Sequence, residues 1–250
     1  MIYLIFQLLL LIRIFRPSEQ SCRLNEKKSK LTCADINLIL DYHNECRDQV
    51  AGGKTKLEQA RDMWVLKWDS ELAEVAQDHA NKCILEHNAR RPMDTGENIA
   101  WMASSENSMA WLKSLTHMWY KEIQDYNQHG SSNIDKAGHF TQMIWADTKY
   151  VGCGLAFYDN VNDHHTPYQT LLVCNYRPPG NHRGELPYEK FNGLARCERG
   201  VQSTVFTSLC AHDQQHADGK YIVRCSGFKL QPTAILLFIL LLCGYHHNNF

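Results

Sequence analysis

The 250-residue chain lacks a strong excess of either charge, since its formal net charge is −1 at pH 7. Its longest basic runs are pairs, Lys27-Lys28 and Arg90-Arg91. A protein that binds nucleic acid through its backbone needs a basic face to neutralise phosphates, so we expect no nucleic-acid partner. The sequence also lacks a glycine-rich phosphate loop, an internal repeat and an Asn-X-Ser/Thr sequon. No serine or cysteine stands in a recognisable nucleophile motif.

Cysteine is abundant, with ten residues in the chain. A reducing compartment would leave so many cysteines as reactive thiols, whereas secreted proteins convert them into disulfides. The count therefore predicts an oxidising compartment, and hence a secreted or extracellular protein.

The N-terminus is a short apolar stretch, nearly uninterrupted from Met1 to Ile12. A helix that spans a bilayer needs roughly 20 apolar residues, so this stretch is too short. We interpret residues 1–18 as a signal peptide. A buried N-terminal helix is the alternative.

The C-terminus carries a second apolar stretch, Ala234 to Leu242. It fits the tail of a lipid-anchor signal, which is removed when the anchor is attached, with Ser226-Gly227 as the small-residue site. A retained short anchor and a hydrophobic packing tail are the alternatives. Membrane association is therefore predicted if the tail is a lipid-anchor signal or a retained anchor, but not if it is a packing tail.

Local patterns predict several helices and strands. Thr32 and Asp35 have capping-box spacing and open a helix from about Asp35 to Val50, and Asp69 caps a second helix whose apolar stripe extends to Cys83. On this second helix His79, Cys83 and His87 would lie one turn apart. A third helix is predicted over Met109 to Tyr126, and strands over Val151–Phe157 and Thr170–Asn175.

Two disulfides are suggested by position along the chain. Cys22 and Cys33 bracket a polar stretch and would close a small loop, and Cys46 and Cys83 lie on the first two predicted helices and could pair. If the C-terminal tail is removed, Cys243 leaves with it and nine of the ten cysteines remain. An odd number leaves one thiol free or bonded to another chain.

Four segments between Ile36 and Asn181 together carry the most specific signal. They are Gly96–Trp101 (GENIAW), Trp119–Ile123 (WYKEI), Gly138–Trp145 (GHFTQMIW) with Gly152–Gly154 (GCG), and Leu172–Asn181 (LVCNYRPPGN). In this order they resemble the CAP superfamily of cysteine-rich secretory, venom allergen and plant pathogenesis-related proteins. The layout is similar to that of glioma pathogenesis-related and venom allergen-like proteins. The resemblance implies an α+β fold, a three-layer α-β-α sandwich, and a disulfide between Cys153 and Cys174.

The segments and the resemblance together predict a domain organisation. The expected parts are a signal peptide (1–18), a Cys-bracketed segment (19–34), a CAP domain (35–181), a Cys-containing extension (182–227) and the hydrophobic tail (228–250).

The resemblance implies a central cleft formed by His87, Glu97, Glu122 and His139, all of which are present. Two neutral imidazoles can bind a divalent metal, most reasonably zinc through His87 and His139. The carboxylates can orient the rings or contact the metal through water. Because catalytic zinc sites usually have three protein ligands, we expect weak, exchangeable binding. A hydrogen-bonded polar cluster without metal is the alternative.

The expected function is non-enzymatic binding outside the cell. Members of the superfamily bind sterols or other lipids, or act on protein receptors, and lipid binding is attributed to an aromatic loop after the third helix. The matching stretch runs from Tyr126 to Ser132, with Tyr126 as its aromatic residue. The alternative is a zinc-dependent extracellular hydrolase, such as a protease, that uses the same cleft.

Overall fold

The computed structural model describes residues 22–107, 112–126, 134–160, 162–193, 196–219 and 223. The predicted signal peptide, the hydrophobic tail and the loop from 127 to 132 lie outside the described residues. Within the described ranges, no helix is both long enough and apolar enough to cross a membrane.

Helices and strands alternate irregularly along the chain. The helices are α1 (Cys33–Ala51), α2 (Ser70–Ala80), α3 (Leu112–Lys121), α4 (Ile134–Met143) and α5 (Gln214–Ala217), and a 3-10 turn (Glu122–Gln124) directly follows α3. The strands are β1 (Cys22–Leu24), β2 (Lys67–Trp68), β3 (Gly96–Ser104), β4 (Tyr150–Asn160), β5 (Tyr168–Arg177), β6 (Val201–Gln202) and β7 (Cys210–Ala211).

The first two helices begin where their caps predict. The Thr32 side chain accepts a hydrogen bond from the Asp35 amide at 3.2 Å, and Asp35 accepts one from the Thr32 amide at 2.8 Å. Asp69 caps α2 by accepting from the amides of its first turn. The end of α2 was predicted wrongly, since the helix stops at Ala80 and Cys83 has a positive φ of 55°. The one-turn spacing of His79, Cys83 and His87 therefore does not exist.

The third helix is shorter than predicted. It ends at Lys121, after which the chain tightens into the 3-10 turn that carries Glu122. Residues 108–111, which include the predicted start, lie outside the described part.

The main sheet has the strand order β1-β4-β5-β3, with β2 beside β4. β4 and β5 form an antiparallel hairpin that pairs Cys153 with Cys174, and β3 runs antiparallel to β5. Both predicted strands, 151–157 and 170–175, lie inside this hairpin.

Alternate side chains along β5 face opposite sides of the sheet and belong to two separate cores. Leu172, Cys174 and Tyr176 join the large core under α1, α3 and α4, whereas Leu171 and Val173 join a smaller core under α2. The helix α2 lies so close to β4 that a Cβ atom at Gly152 would come within 2.3 Å of the Ala73 amide nitrogen. The fold is therefore the predicted three-layer α-β-α sandwich.

The disulfides follow these layers. Cys153 and Cys174 are bonded, as the resemblance implied, and further bonds join Cys22 to Cys83 and Cys197 to Cys210. The predicted Cys22–Cys33 pair is wrong, because Cys22 in β1 lies beside the end of β4 on the side reached by Cys83. Cys33 is itself disulfide-bonded.

The predicted Cys46–Cys83 pair is also wrong. Cys46 belongs to the large core under α1, whereas Cys83 packs against the smaller core on the opposite face of the sheet. The sheet separates the two sulfur atoms. Cys46 is a buried free thiol, 2% exposed.

The C-terminal extension packs against the sandwich. The Arg196 guanidinium donates to the carbonyl oxygens of Ala51 and Ala60 at 2.6 and 2.9 Å. The Ser208 amide donates to Asp48 at the end of α1 at 2.7 Å. These contacts tie the extension to the first helix and to the loop that follows it.

Candidate functional site

Four separate elements bring the predicted site residues together. His87 lies in the loop after α2, Glu97 in β3, Glu122 in the 3-10 turn and His139 in α4. They share a cleft of about 240 Å³. Its described lining comprises His87, Glu97, Asn98, Glu122, Asp135, Lys136, Gly138, His139 and Asn181.

The His139–Glu122 pair is built around a kink in α4. Ala137 has non-helical backbone angles, which interrupts the helix just before His139. Glu122 Oε2 accepts hydrogen bonds from the amides of His139 and Phe140 at 3.0 and 3.1 Å. Glu122 Oε1 lies 2.6 Å from His139 Nδ1. Glu122 thus caps the second part of α4 and orients the imidazole with the same carboxylate.

A buried hydrogen-bond chain holds the backbone of His139. Asn98 Nδ2 donates to the His139 carbonyl oxygen at 3.0 Å and lies 3.2 Å from the Tyr176 hydroxyl. That hydroxyl lies 2.9 Å from Nε2 of His43 in α1. Burial lowers the pKa of His43 to about 4, so its imidazole is neutral at pH 7. His139 is therefore linked through β3 and β5 to the centre of the large core.

The His87–Glu97 pair has a different setting. The Glu97 side chain is fully buried, whereas that of His87 is 57% exposed. Glu97 Oε1 accepts from the Asn88 amide and lies 2.8 Å from His87 Nδ1. Burial alone raises the pKa of Glu97, but these hydrogen bonds outweigh it and the net pKa is lowered. Glu97 Oε2 is buried with no hydrogen-bond partner among the described residues.

The donor set fits a weakly held cation. A carboxylate accepts only from a protonated nitrogen, so Nδ1 carries a proton in both rings, and in the neutral form of each ring Nε2 keeps its lone pair. This is the arrangement in which carboxylates orient histidine metal ligands. Within the described ranges, no three His, Cys, Asp or Glu side chains converge as a metal-binding group. A zinc site formed by His87 and His139 stays a prediction.

Tyr126 is placed differently from its predicted role. Its side chain is only 7% exposed and packs against the Phe140 ring at 5.6 Å. Burial raises the pKa of its hydroxyl to about 12. Tyr126 is a core residue and presents little surface to a lipid, because α4 covers it.

Sequence reasoning missed two polar residues of the cleft. Asn98 stands inside the GEN segment, directly after Glu97, and that position was the available signal. Asn181, at the end of the second motif, donates to the Gly138 carbonyl oxygen at 2.8 Å. Both residues hold the backbone around His139.

The layered fold and the paired imidazole–carboxylate cleft define a CAP-type domain. The model of the CAP family, Cysteine-rich secretory protein family, matches residues 40–176, more than half of the 250-residue chain, and the chain belongs to this family.

Several known proteins are similar over most of the chain. Venom allergen 5 of Polistes fuscatus is 40% identical over 189 residues, which cover 70% of this chain and 89% of the relative. Salivary antigen-5 of Dipetalogaster maximus is 33% identical over 73% of this chain and 76% of its own length. The solved structure of BmVAL-1 superimposes with a TM-score of 0.63 at 27% identity, covering 74% of this chain and 97% of that one.

Proposed function

We propose that this protein is an extracellular, non-enzymatic binding protein whose cleft takes up a divalent cation, zinc in the first instance. His87 and His139 supply the ligand nitrogens, and water completes the coordination. The observation that carries the proposal is the matched use of Nδ1. Each ring is fixed by a glutamate, so each Nε2 is left with a lone pair for a metal.

The disulfides support an extracellular location, because such bonds persist in oxidising compartments. Relatives named as venom and salivary proteins agree with it. Attachment to a membrane through the hydrophobic tail stays a prediction.

The state of the carboxylates favours binding over catalysis. A hydrolase would need a general base within hydrogen-bond reach of an attacking water. Of the two glutamates paired with histidines, Glu122 already accepts hydrogen bonds at both oxygens, and the open oxygen of Glu97 is shielded from solvent. Among the described lining residues, none carries a hydroxyl or thiol that would act as a nucleophile.

Sterol or lipid binding and recognition of a protein receptor both stay predictions. The loop that would contact a lipid lies almost wholly outside the described residues, and its one described aromatic residue, Tyr126, is buried.

Zinc titration by isothermal calorimetry tests the proposal. We expect one site with micromolar or weaker affinity that weakens as the pH falls and the imidazoles protonate. His87→Ala and His139→Ala should each lower the affinity more than about tenfold. His164→Ala is the matched control, because His164 is exposed in the loop before β5, at the other end of the sheet.

The same samples separate binding from hydrolysis. Unchanged affinity in both cleft variants would overturn the cation site. Peptide cleavage that chelator abolishes and both cleft variants lack would instead establish the zinc-dependent hydrolase.

A further inference from the structure

A second cluster of functional groups lies outside the cleft, where β2 and β4 meet the C-terminal extension. Lys67 in β2 donates its amide to the carbonyl oxygen of Lys149 at 3.0 Å, and it pairs with Tyr150 in the sheet. Both lysine side chains are half-buried at this position. The parallel pairing of β2 with β4 therefore brings Lys67 beside Lys149, the residue directly before β4.

Aromatic rings form the floor of this cluster. The His212 ring stacks on Trp64 with 4.3 Å between centroids and 9° between planes, and on Tyr150 at 6.5 Å. Lys149 Nζ lies 4.9 Å from the Trp64 centroid. The extension thus contributes a ring that is held between two rings of the sandwich.

Two nitrogen atoms of the stack are left without partners. Trp64 is 3% exposed, and its Nε1 is buried with no hydrogen-bond acceptor among the described residues. His212 Nε2 is likewise buried and unpaired within the described part. An indole N–H can only donate, and leaving it unpaired costs free energy. The missing partner is an acceptor.

Nearby carboxylates are already engaged by other cations. Arg199 lies 5.9 Å above Trp64, and its guanidinium pairs with Asp147 at 2.6 Å and Asp62 at 3.7 Å. Asp213 accepts from the His216 ring at 2.6 Å and from its amide at 2.9 Å.

The two lysines lack an ion-pair partner in the described part of the chain. Neither Lys67 nor Lys149 forms an ion pair with any described residue. Burial lowers the pKa of His212, and the charges of both lysines lower it further. Burial also lowers the pKa of Lys67; Asp213 opposes this and Lys149 adds to it. Repulsion between these like charges favours a bound anion, which would relieve it.

We propose that this junction binds an oxyanion, a sulfate or phosphate group, between the ammonium groups of Lys67 and Lys149, the indole N–H of Trp64, and Nε2 of His212 in the tautomer that is protonated there. The tetrahedral oxygens of such a group accept several hydrogen bonds at once, which matches donors that arrive from three segments of the chain. The site is independent of the histidine–glutamate cleft.

Titration of the ¹⁵N-labelled protein with sodium sulfate, at ionic strength held constant with sodium chloride, tests this site. The Trp64 indole N–H resonance should shift saturably, since it gains an acceptor. Lys67→Gln and Lys149→Gln should each weaken binding about tenfold, the loss of one charge-assisted hydrogen bond. Lys149→Arg should retain binding, which shows that a Gln variant lost charge rather than fold.

Lys82→Gln is the control, because it removes the same charge from an exposed position beyond α2. No saturable shift, or equal weakening in Lys82→Gln, would overturn the site. A sulfated disaccharide that binds more tightly than inorganic sulfate indicates a glycan as the source of the group. Equal affinity indicates the free ion.

Discussion

The two histidine–glutamate pairs of the cleft have the same chemistry but are held by different parts of the fold. His139 is fixed by a carboxylate that also caps its helix, and its carbonyl is tied to the core through Asn98. His87 lies in a loop, and its ring is held by one hydrogen bond to Glu97. The imidazole of His139 is therefore preorganised, and that of His87 is adjustable. A cation would find His139 in place and would have to order His87.

The largest expected effect is a loss of folding stability at acid pH, caused by His43 in the hydrogen-bond chain behind His139. The pKa of His43 is about 4 in the folded protein and about 6.5 when unfolded. Between these values the unfolded chain binds the proton and the folded one does not, so stability falls as the pH drops from 6.5 to 4. The full shift corresponds to about 3 kcal/mol. Urea denaturation across this pH range measures it.

His43→Gln should flatten this part of the pH profile, whatever its stability at neutral pH. His164→Gln is the matched control, since it replaces an exposed histidine in the loop before β5. An unaltered slope in His43→Gln would show that the buried chain does not carry the acid sensitivity.

The two glutamates should differ when each becomes glutamine. Both carboxylate oxygens of Glu122 accept hydrogen bonds, so the amide nitrogen of a glutamine at this position would face another donor. Glu122→Gln should therefore lower the free energy of unfolding by about 2 kcal/mol. Glu97 uses only Oε1, so Glu97→Gln can turn its amide toward the unpaired side and should cost less than about 1 kcal/mol. Chemical denaturation of both variants tests the comparison, and equal losses would contradict the asymmetry.

Tyr176→Phe should lower the free energy of unfolding by about 1 kcal/mol, because it removes one hydroxyl from the chain between His43 and Asn98. The amide of Phe140 should then exchange faster with deuterium, while that of Asn88 should not. Tyr188→Phe is a matched control, since that hydroxyl bonds the Glu58 carbonyl oxygen outside the cleft.

The sequence predicted the elements that local signals specify. The caps at Thr32 and Asp69 located the starts of α1 and α2, and β-branched and aliphatic runs located β4 and β5. Strand β3 was not assigned, because its first residues are glycine and polar and its burial comes from β5. Helix α4 was missed because Gly138 and the kink at Ala137 weaken its local signal, and Glu122 stabilises it from another element.

The candidate site was likewise predicted only in part. Motif resemblance located its four residues, but the sequence could not show which carboxylate caps a helix or that Tyr126 is buried. Those properties depend on contacts between residues distant in the chain. The disulfides of Cys22 and Cys83 were mispredicted for this reason, since the faces of the sheet, rather than sequence proximity, decide which cysteines meet.

The buried thiol of Cys46 bears on how the chain acquires its disulfides. Disulfide exchange requires a thiolate with access to solvent. Burial raises the pKa of Cys46 and its side chain is 2% exposed, so packing of α1 withdraws this sulfur from exchange. A chain whose α1 packs before oxidation is complete has one competitor fewer for the remaining cysteines. Early collapse of the large core would thus lower the number of wrong disulfide pairs that the chain can form.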